Sequence, residues 1–219
     1  MTNNIRNIWA IGRNYGAHAK ELGNSLPEKP LVFLKAGSSA LESGQTLALP
    51  PWSSQIHHEV ELALEFGPDL SNPFPIVRGL VAVDLTARDI QDEAKKKGLP
   101  WTQAKSFKGA CLLGSRFDVK TTPENLSLIL TVNGERRQHG HIRDMIFPIP
   151  VLVKHVLEYF PVCPGDLLLT GTPSGVGPLE DGDELVVEIP EVRSQGRWNI
   201  KRSPAPHAAL QRTPPNTRT

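Results

Sequence analysis

The sequence predicts an α+β fold that is predominantly β. Twenty prolines and 18 glycines in 219 residues indicate many short elements joined by turns. The apolar runs are short and bounded by such turn residues, which favours strands over helices. Helical patterns are few, and the clearest covers residues 149–159. A bundle of long helices is therefore not expected.

Composition and length indicate one soluble globular domain. The chain is 39% hydrophobic and 21% charged, and its length is sufficient for a buried core. The net charge of +1 provides no general attraction to nucleic acid or to an anionic membrane, and neither partner is expected. We expect a single domain at 1–202. The tail at 203–219 is basic and proline-rich, and we expect it to be disordered.

The same features bear on the cellular compartment. No apolar leader segment follows Met1, and no apolar run is long enough to span a membrane. The two cysteines, Cys111 and Cys163, lack the spacing of a metal or redox motif. We therefore expect a cytoplasmic protein with reduced cysteines.

The run at residues 57–64 predicts a strand with two glutamates on one face. Glu59 and Glu61 are two residues apart, and alternate side chains of a strand point the same way. Two adjacent carboxylates repel unless a cation or a proton lies between them. On this stretch alone, a half-exposed strand with its acidic face in water is an equally good interpretation.

A third carboxylate favours a metal site. Asp84 follows the apolar run 80–83, and a charge in apolar surroundings needs a charged partner, a hydrogen-bond network or a metal. Three carboxylates without a Cys or His triad favour Mg²⁺, Mn²⁺ or Ca²⁺. The nearby His57 and His58 leave Zn²⁺ open, although no H-E-x-x-H motif is present.

Two predicted helices carry polar pairs spaced for one helical face. His18 and Glu21 lie on a predicted helix at 15–22, as a base with an orienting carboxylate or as an ordinary surface pair. Arg88 and Gln91 lie on a predicted helix at 86–97, which we expect Thr86 to cap with Asp89 at the third position. Both would then lie near Asp84, although an ion pair between Arg88 and Asp92 is the simpler interpretation.

Later segments supply a hairpin, a helix and a glycine-rich loop. Asn133-Gly134 predicts a type I′ turn between strands at 128–132 and 135–138. The helix at 149–159 is amphipathic, and its stripe is predicted to contain Val151, Leu152, His155, Val156 and Tyr159. The loop 170–177 has no phosphate-binding lysine motif, so it is a turn whose backbone could also contact an anion. Further strands are predicted at 8–11, 31–35, 45–49, 167–170, 184–189 and 198–201, with a loop at 67–78.

Several consecutive motifs resemble the fumarylacetoacetate hydrolase family. They are HHEVEL, VDLTARDIQDE, KKKGLPW, AKSF, TVNGERRQ and LLLTGTPSGVGP, in family order between Ile8 and Ile189. The nearest branch is that of the small acylpyruvate hydrolases. The resemblance implies a rolled mixed β-sheet with few short helices, and a homodimer. Two departures are Ala36 in place of the usual proline and an abbreviated segment at 67–78.

The resemblance also implies roles for individual residues. Glu59, Glu61 and Asp84 match the ligands of Mg²⁺, with Mn²⁺ or Ca²⁺ as alternatives. His18, oriented by Glu21, matches the residue that activates water. The remaining matches are Lys105, which stabilises developing negative charge, and the substrate-binding residues Arg88, Gln91 and Thr172.

The reaction implied is metal-dependent hydrolysis of the C–C bond of 3-acylpyruvates, such as acetylpyruvate or fumarylpyruvate, to pyruvate and a carboxylic acid. The substrate would be a small 2-oxo acid. Tautomerisation or decarboxylation of oxaloacetate, or isomerisation of unsaturated 2-oxo or 2-hydroxy dicarboxylates, is the alternative, because all pass through a stabilised enolate. A non-enzymatic metal- or ligand-binding scaffold is the third hypothesis.

Overall fold

The computed structural model describes residues 5–21, 23 and 26–203. Its strands are β1 Asn7–Gly12, β2 Leu31–Ala36, β3 Ala40–Glu42, β4 Thr46–Leu49, β5 Ile56–His58, β6 Val60–Phe66, β7 Ile76–Asp84, β8 Thr86–Ala87, β9 Cys111–Asp118, β10 Ser127–Val132, β11 Glu135–His141, β12 Leu167–Leu169, β13 Gly177–Pro178, β14 Glu184–Ile189 and β15 Ser194–Arg202. Its α-helices are α1 Gly16–Glu21, α2 Arg88–Lys97, α3 Thr102–Lys105 and α4 Ile149–Tyr159. The predicted tail lies outside the described residues, apart from Ser203, so its disorder stays a prediction.

The strands form three sheets. The largest has seven strands in the order β2-β1-β12-β6-β7-β9-β3, and it is mixed because β1 runs parallel to β12 and β3 parallel to β9. A five-stranded sheet has the order β11-β10-β14-β15-β4, and a short third sheet has the order β13-β5-β8. The α+β, predominantly β class and the few short helices are as predicted.

The seven-stranded sheet is buried on both faces, which the strand alternation makes possible. One face contributes Leu62, Val81 and Leu112 to a large core shared with the five-stranded sheet. The other face carries a smaller cluster rich in small side chains: Ile8, Ala10, Ala63, Leu80, Ala82, Cys111, Leu113, Leu167 and Leu169. Small side chains on this second face leave room for polar groups above it.

Glycines allow the two larger sheets to approach closely at one point. A Cβ on Gly114 would lie 2.8 Å from the backbone oxygen of Gln195, and one on Gly196 would lie 3.2 Å from the Cα of Gly114. Both distances are shorter than ordinary contacts with a Cβ, so side chains at these positions would push the sheets apart.

Most local predictions are confirmed, with a few corrections. Helix α4 has the predicted bounds, and the positive φ angles of Asn133 (53°) and Gly134 (79°) fit the type I′ turn. Val151 and Tyr159, however, are exposed, and Ile149 and Val153 are buried in their place. His155 is half-buried against the ring of Tyr159 rather than in the core.

Several predicted boundaries are wrong, and β15, for example, begins four residues before the strand predicted at 198–201. The loop predicted at 67–78 ends earlier, because β7 already begins at Ile76. The glutamate strand is interrupted at Glu59, between β5 and β6. Helix α2 begins at Arg88 with no side-chain cap, because Thr86 belongs to β8 and the Arg88 N–H donates to the Gln55 carbonyl at 2.7 Å.

Candidate active site

Three carboxylates converge at the end of the β6–β7 pair. Glu61 lies in β6, Asp84 ends β7, and the Asp84 N–H donates to the carbonyl of Glu59 at 2.8 Å. An oxygen of each carboxylate lies within 4.8 Å of oxygens of the other two. All three side chains are buried, so the interpretation of a strand with its acidic face in water is wrong. They project from the face of the sheet that carries Ala63 and Ala82.

Lys105, on helix α3, inserts its ammonium group between two of these carboxylates. Its Nζ donates to Glu59 Oε2 at 2.9 Å, to Asp84 Oδ2 at 2.6 Å and to Thr86 Oγ1 at 2.6 Å. Burial alone would lower the pKa of Lys105, but the negative charges of Asp84 and Glu59 outweigh it and raise the pKa. Lys105 is therefore a permanent cation at the bottom of the site.

A second buried lysine was missed by the sequence analysis. Lys35 is fully buried, and its Nζ donates to Asp84 Oδ1 at 2.5 Å, to the carbonyl of Leu85 at 3.3 Å and to the carbonyl of Lys105. The only signal in the sequence was a charge at the end of the apolar run 31–34, where strand alternation places Lys35 on the same face as Phe33.

Arg88 connects helix α2 to the carboxylates. Its guanidinium group donates to Glu59 Oε1 and, at 2.7 Å, to Gln91 Oε1. The structure therefore corrects the alternative of an ion pair between Arg88 and Asp92. The Nε atom of Arg88 is buried and has no hydrogen-bond partner in the described part of the chain. A buried donor without a partner is costly, and a ligand oxygen would satisfy it.

The buried cluster has as many positive as negative side chains, but the positive ones do not lie equally close to the three carboxylates. Glu59, Glu61 and Asp84 face Lys35, Arg88 and Lys105. Burial raises the pKa of Glu59, but Lys105 and then Arg88 outweigh this effect and hold the pKa well below its ordinary value. Burial, and then the charges of Asp84 and Glu59, raise the pKa of Glu61 well above its ordinary value.

Glu61 is thus the carboxylate of the three whose negative charge is least compensated by nearby cations. Its Oε2 accepts a hydrogen bond from the Gly171 N–H at 2.6 Å. In the described residues, neither lysine, arginine nor histidine forms an ion pair with it. A divalent cation held by the three carboxylates would relieve the repulsion, and an all-oxygen set suits Mg²⁺, Mn²⁺ or Ca²⁺. The residues present therefore fit a divalent metal.

Helix α1 places His18 and Glu21 over the site as a pair. The Nδ1 of His18 lies 3.2 Å from Glu21 Oε2, and His18 is buried. Glu21 also accepts hydrogen bonds from the Gly175 N–H, at 3.1 Å and 3.3 Å to its two oxygens. Glu21 thus orients the imidazole and fastens the helix to the 170–177 loop.

Thr172 is held in this loop by Gln138, a second residue that the sequence analysis did not single out. Gln138 is buried, and its Nε2 donates to Thr172 Oγ1 and to the Pro173 carbonyl, both at 2.9 Å. Its Oε1 accepts the Val60 N–H at 3.0 Å and lies 3.0 Å from His58 Nδ1. Gln138 therefore links the loop to the glutamate strand.

All of these groups surround one small cavity. Its volume is about 40 Å³, which is room for a few water molecules. It is lined by Ile11, Gly12, Arg13, His18, Phe33, Glu59, Glu61, Asp84, Arg88, Gln91, Lys95, Trp101, Lys105 and Thr172. The structure thus brings the nine residues singled out from the sequence to one place, eight at the cavity and Glu21 behind His18.

A mixed rolled sheet that presents a buried carboxylate triad beside lysine, arginine and a histidine–glutamate pair defines a class of divalent-metal enzymes. The model of the fumarylacetoacetate (FAA) hydrolase C-terminal domain matches residues 7–198. The chain belongs to the fumarylacetoacetate hydrolase family. None of the helices in the described part of the chain is long and apolar enough to cross a membrane.

Named relatives support the family over nearly the whole chain. The mitochondrial oxaloacetate tautomerase FAHD1 of Bos taurus is 40% identical over 205 residues, covering 90% of this chain and 92% of the relative. The oxaloacetate tautomerase YcgM of Escherichia coli (strain K12) is 41% identical over 192 residues, covering 84% and 88%. The structure of fumarylpyruvate hydrolase from Pseudomonas aeruginosa in complex with Mn²⁺ and pyruvate has a TM-score of 0.83 at 29% identity, covering 91% of each chain.

Proposed function

We propose that this chain catalyses the metal-dependent keto–enol tautomerisation of oxaloacetate. The observation that carries the proposal is the charge of the buried cluster. Glu59, Glu61 and Asp84 cancel the charges of Lys35, Arg88 and Lys105, so a bound divalent ion would leave this buried cluster with a net charge of +2. A small dicarboxylate carries the opposite charge, and its burial there would be compensated. The names of the bovine and bacterial relatives agree with this substrate.

The size of the cavity also favours a compact substrate. The cavity is small, at about 40 Å³, and we propose that it favours a compact acid over one with a long acyl chain. We therefore propose oxaloacetate ahead of larger 3-acylpyruvates.

Each side chain has a role in this proposal. Glu59, Glu61 and Asp84 would hold the metal, which we propose to be Mg²⁺ with Mn²⁺ or Ca²⁺ as alternatives, and the ion would supply Lewis-acid polarisation of the 2-oxo group. The described geometry favours Arg88, Gln91 and Thr172 as the groups that bind the adjacent carboxylate. Lys105 stabilises the negative charge of the enolate oxygen. His18, oriented by Glu21, moves the proton at C3.

Hydrolysis of 3-acylpyruvates is the second candidate. It is favoured by the same histidine–glutamate pair, because a base oriented at 3.2 Å by a carboxylate is also suited to activate water. The structural likeness to a fumarylpyruvate hydrolase supports it as well. Both reactions pass through an enolate, so the residues that stabilise charge do not separate them.

The deciding experiment compares the two substrates in parallel. Loss of the ultraviolet absorbance of enol-oxaloacetate is followed with Mg²⁺ and then with excess EDTA, while malate dehydrogenase and NADH report the keto form. Acetylpyruvate is tested at the same concentrations, with pyruvate counted through lactate dehydrogenase. Faster metal-dependent formation of the keto form supports the proposal, and one pyruvate released per acetylpyruvate without any tautomerisation contradicts it.

His18→Ala sharpens the assignment. Hydrolysis would be abolished because water would not be activated, whereas tautomerisation would keep part of its rate, since solvent can also exchange the C3 proton. Glu59→Ala should inactivate both reactions. Decarboxylation is scored separately as pyruvate formed from oxaloacetate, so a decarboxylase would not be mistaken for a tautomerase.

Compartment and assembly complete the proposal. We keep the cytoplasm as the expected compartment, although the name of the bovine relative places that protein in mitochondria. We also propose a homodimer that acts on a small 2-oxo acid and binds neither nucleic acid nor membranes. Light scattering of the purified chain at several concentrations tests the dimer, and a monomer mass throughout would contradict it.

A further inference from the structure

Two cations line the cavity that the proposed chemistry does not use. They are Arg13, which follows β1, and Lys95, which lies on α2. Both side chains are half-buried rather than extended into solvent. Their contribution is separate from Lys35, Arg88 and Lys105, which the three carboxylates already neutralise.

Arg13 is held at the cavity by an unusual backbone conformation. Its φ angle is +60°, a region that residues with a side chain rarely adopt. The next residue fixes this turn, because Asn14 Nδ2 donates to the Thr170 carbonyl at 2.8 Å and Asn14 Oδ1 accepts the Phe147 N–H at 2.8 Å. The strained residue is thus maintained by its surroundings at a wall of the cavity.

Lys95 shares a helical face with the substrate-binding pair. Arg88, Gln91 and Lys95 are spaced i, i+3 and i+7, which places them along one stripe of α2. Seven residues correspond to roughly 10 Å of helix, and side chains lean toward the N-terminal end, so Lys95 reaches back toward the Arg88 turn. The ring of Trp101 lies 5.8 Å from Lys95 Nζ and supports it from one side.

Neither cation has a strong anionic partner. In the described part of the chain, no carboxylate forms an ion pair with Arg13. Lys95 has only Asp92, at 3.9 Å, whose side chain is 53% exposed. Burial, and next the charge of Arg88, lower the pKa of Lys95, and Arg13 and Lys105 add to this effect. Arg13 and Lys95 therefore line one cavity, and in the described part of the chain neither has a buried carboxylate as its own ion-pair partner.

We infer that Arg13 and Lys95 form an anion subsite that binds the distal carboxylate of a short 2-oxo dicarboxylate. The inference rests on the proposed function in one respect, that the 2-oxo acid end of the substrate lies at the carboxylate triad. The remote carboxylate then lies between the Arg13 turn and the α2 stripe. The subsite makes the site selective for dicarboxylates over acylpyruvates that end in a methyl group.

The test removes the distal charge from the substrate and the cations from the protein. Arg13→Met, Lys95→Met and the control Lys96→Met are compared, since Lys96 is the exposed neighbour of Lys95. The substrates are oxaloacetate and its 4-methyl ester, in which a neutral ester replaces the distal carboxylate. We expect Arg13→Met and Lys95→Met each to raise KM for oxaloacetate about tenfold while KM for the ester stays unchanged. Lys96→Met should leave KM for both substrates unchanged. Arg13→Lys, which keeps the charge, should recover part of the loss.

Calorimetry decides the inference even if the enzyme does not turn oxaloacetate over. The Mg²⁺-loaded protein is titrated with 3,3-difluorooxaloacetate, which has no C3 proton to lose, and with its 4-methyl ester. Preference for the dicarboxylate in the wild type, lost in Arg13→Met and Lys95→Met, supports the subsite although the proposed reaction would have failed. Equal affinity of the wild type for the dicarboxylate and the ester would overturn the subsite. It would also be overturned if the variants lost affinity equally for both ligands.

Discussion

The buried carboxylate of Asp166 and the three buried carboxylates of the triad are stabilised by different kinds of partner. Asp166 is fully buried and accepts four hydrogen bonds of 3.0 Å, from the Asn7 N–H and side-chain amide, the Trp9 indole and the Cys163 N–H. All four donors are neutral. Glu59, Glu61 and Asp84 instead lie within 4.8 Å of one another and depend on lysine and arginine.

The comparison shows what distinguishes a structural carboxylate from a candidate site. The hydrogen bonds of Asp166 compensate its charge and connect β1 to the start of β12. A bound cation is therefore not needed to stabilise this carboxylate. The triad holds like charges together, and one member, Glu61, has its pKa raised well above the ordinary value because of burial and the charges of Asp84 and Glu59. Burial alone does not indicate function, but convergence of like charges does.

The largest effect should come from Asp84→Asn compared with Asp166→Asn. Loss of Asp84 removes a proposed metal ligand and the partner of Lys35 and Lys105, so we expect turnover to fall about 10³-fold. The measurement is the metal-dependent loss of enol-oxaloacetate across a Mg²⁺ titration.

Asp166→Asn is the matched control. It should keep the Mg²⁺ dependence and lower the free energy of unfolding by about 1.5–3 kcal/mol, because hydrogen bonds to a charged acceptor are lost. If Asp166→Asn abolished metal dependence, or Asp84→Asn kept it, the contrast between the two groups would be wrong.

Lys35→Met tests whether the buried charges of the triad depend on one another. It leaves Asp84 with one cation fewer in a fully buried position, and we expect the free energy of unfolding to fall by about 3–5 kcal/mol. The measurement is urea unfolding without metal and with saturating Mg²⁺.

Mg²⁺ should recover more stability in Lys35→Met than in the wild type, because the divalent ion replaces the missing positive charge. Lys96→Met serves as the control, since Lys96 is exposed and should leave both unfolding curves unchanged. Equal stabilisation of Lys35→Met and wild type by Mg²⁺ would show that Lys35 is independent of the proposed metal site.

The pH dependence of stability without metal should reveal Glu61. A carboxyl group whose pKa is raised in the folded protein stabilises it fully below the unfolded pKa, near 4.5, and this stabilisation is lost as the pH rises through the folded pKa. Glu61→Gln should therefore be more stable than wild type above that pKa, when both proteins are compared without metal by urea unfolding in EDTA.

His57 and His58 make stability change with pH in the opposite direction. The quantity to follow is therefore the difference in the free energy of unfolding between wild type and Glu61→Gln. Burial, and then the charge of Arg88, lower the pKa of His57 to about 4, and burial lowers that of His58. Their contribution is present above pH 6.5 and lost toward pH 4 in both proteins. A constant difference across this range, or none at all, would contradict the raised pKa of Glu61.

The smallest effect should come from Gln138→Leu. This change removes the hydrogen bonds of Gln138 to Thr172 Oγ1, the Pro173 carbonyl and the Val60 N–H, but it alters no carboxylate of the triad and none of its cations. We expect KM to rise about tenfold with Mg²⁺ affinity unchanged, because Thr172 would lose its orientation toward the substrate. Steady-state kinetics and a Mg²⁺ titration measure the two quantities. A loss of Mg²⁺ affinity as large as the rise in KM would show that Gln138 supports the glutamate strand instead.

Local chemistry allowed several elements to be predicted from the sequence. The type I′ turn follows from the αL preference of Asn133 and Gly134, and helix α2 ends at Gly98, whose φ is +65°. The pair of His18 and Glu21 follows from helical spacing alone. In each case the interacting residues are at most four apart, so the backbone conformation fixes their distance.

Long-range partners could not be predicted in this way. Lys35 is 49 residues from Asp84, and Gln138 is 34 residues from Thr172. Thr86 was expected to cap helix α2, but its hydroxyl accepts a hydrogen bond from Lys105, and its backbone pairs with His57. Tertiary contacts thus overruled the local preference of Thr86.

The sequence by itself determined that Glu59 and Glu61 point the same way, that a third carboxylate ends an apolar strand, and that all three belong to a predominantly β chain. Strand alternation and turn chemistry act over a few residues, so these features were available without coordinates. Only the tertiary structure decided which cations neutralise the three carboxylates and which line the cavity without a buried carboxylate partner. Because β12 and β6 are neighbours, the 170–177 loop that follows β12 lies next to Glu61. Lys35 lies on β2, four strands away from the β7 strand of Asp84, so their contact depends on the curl of the whole sheet, which no local pattern in the sequence reveals.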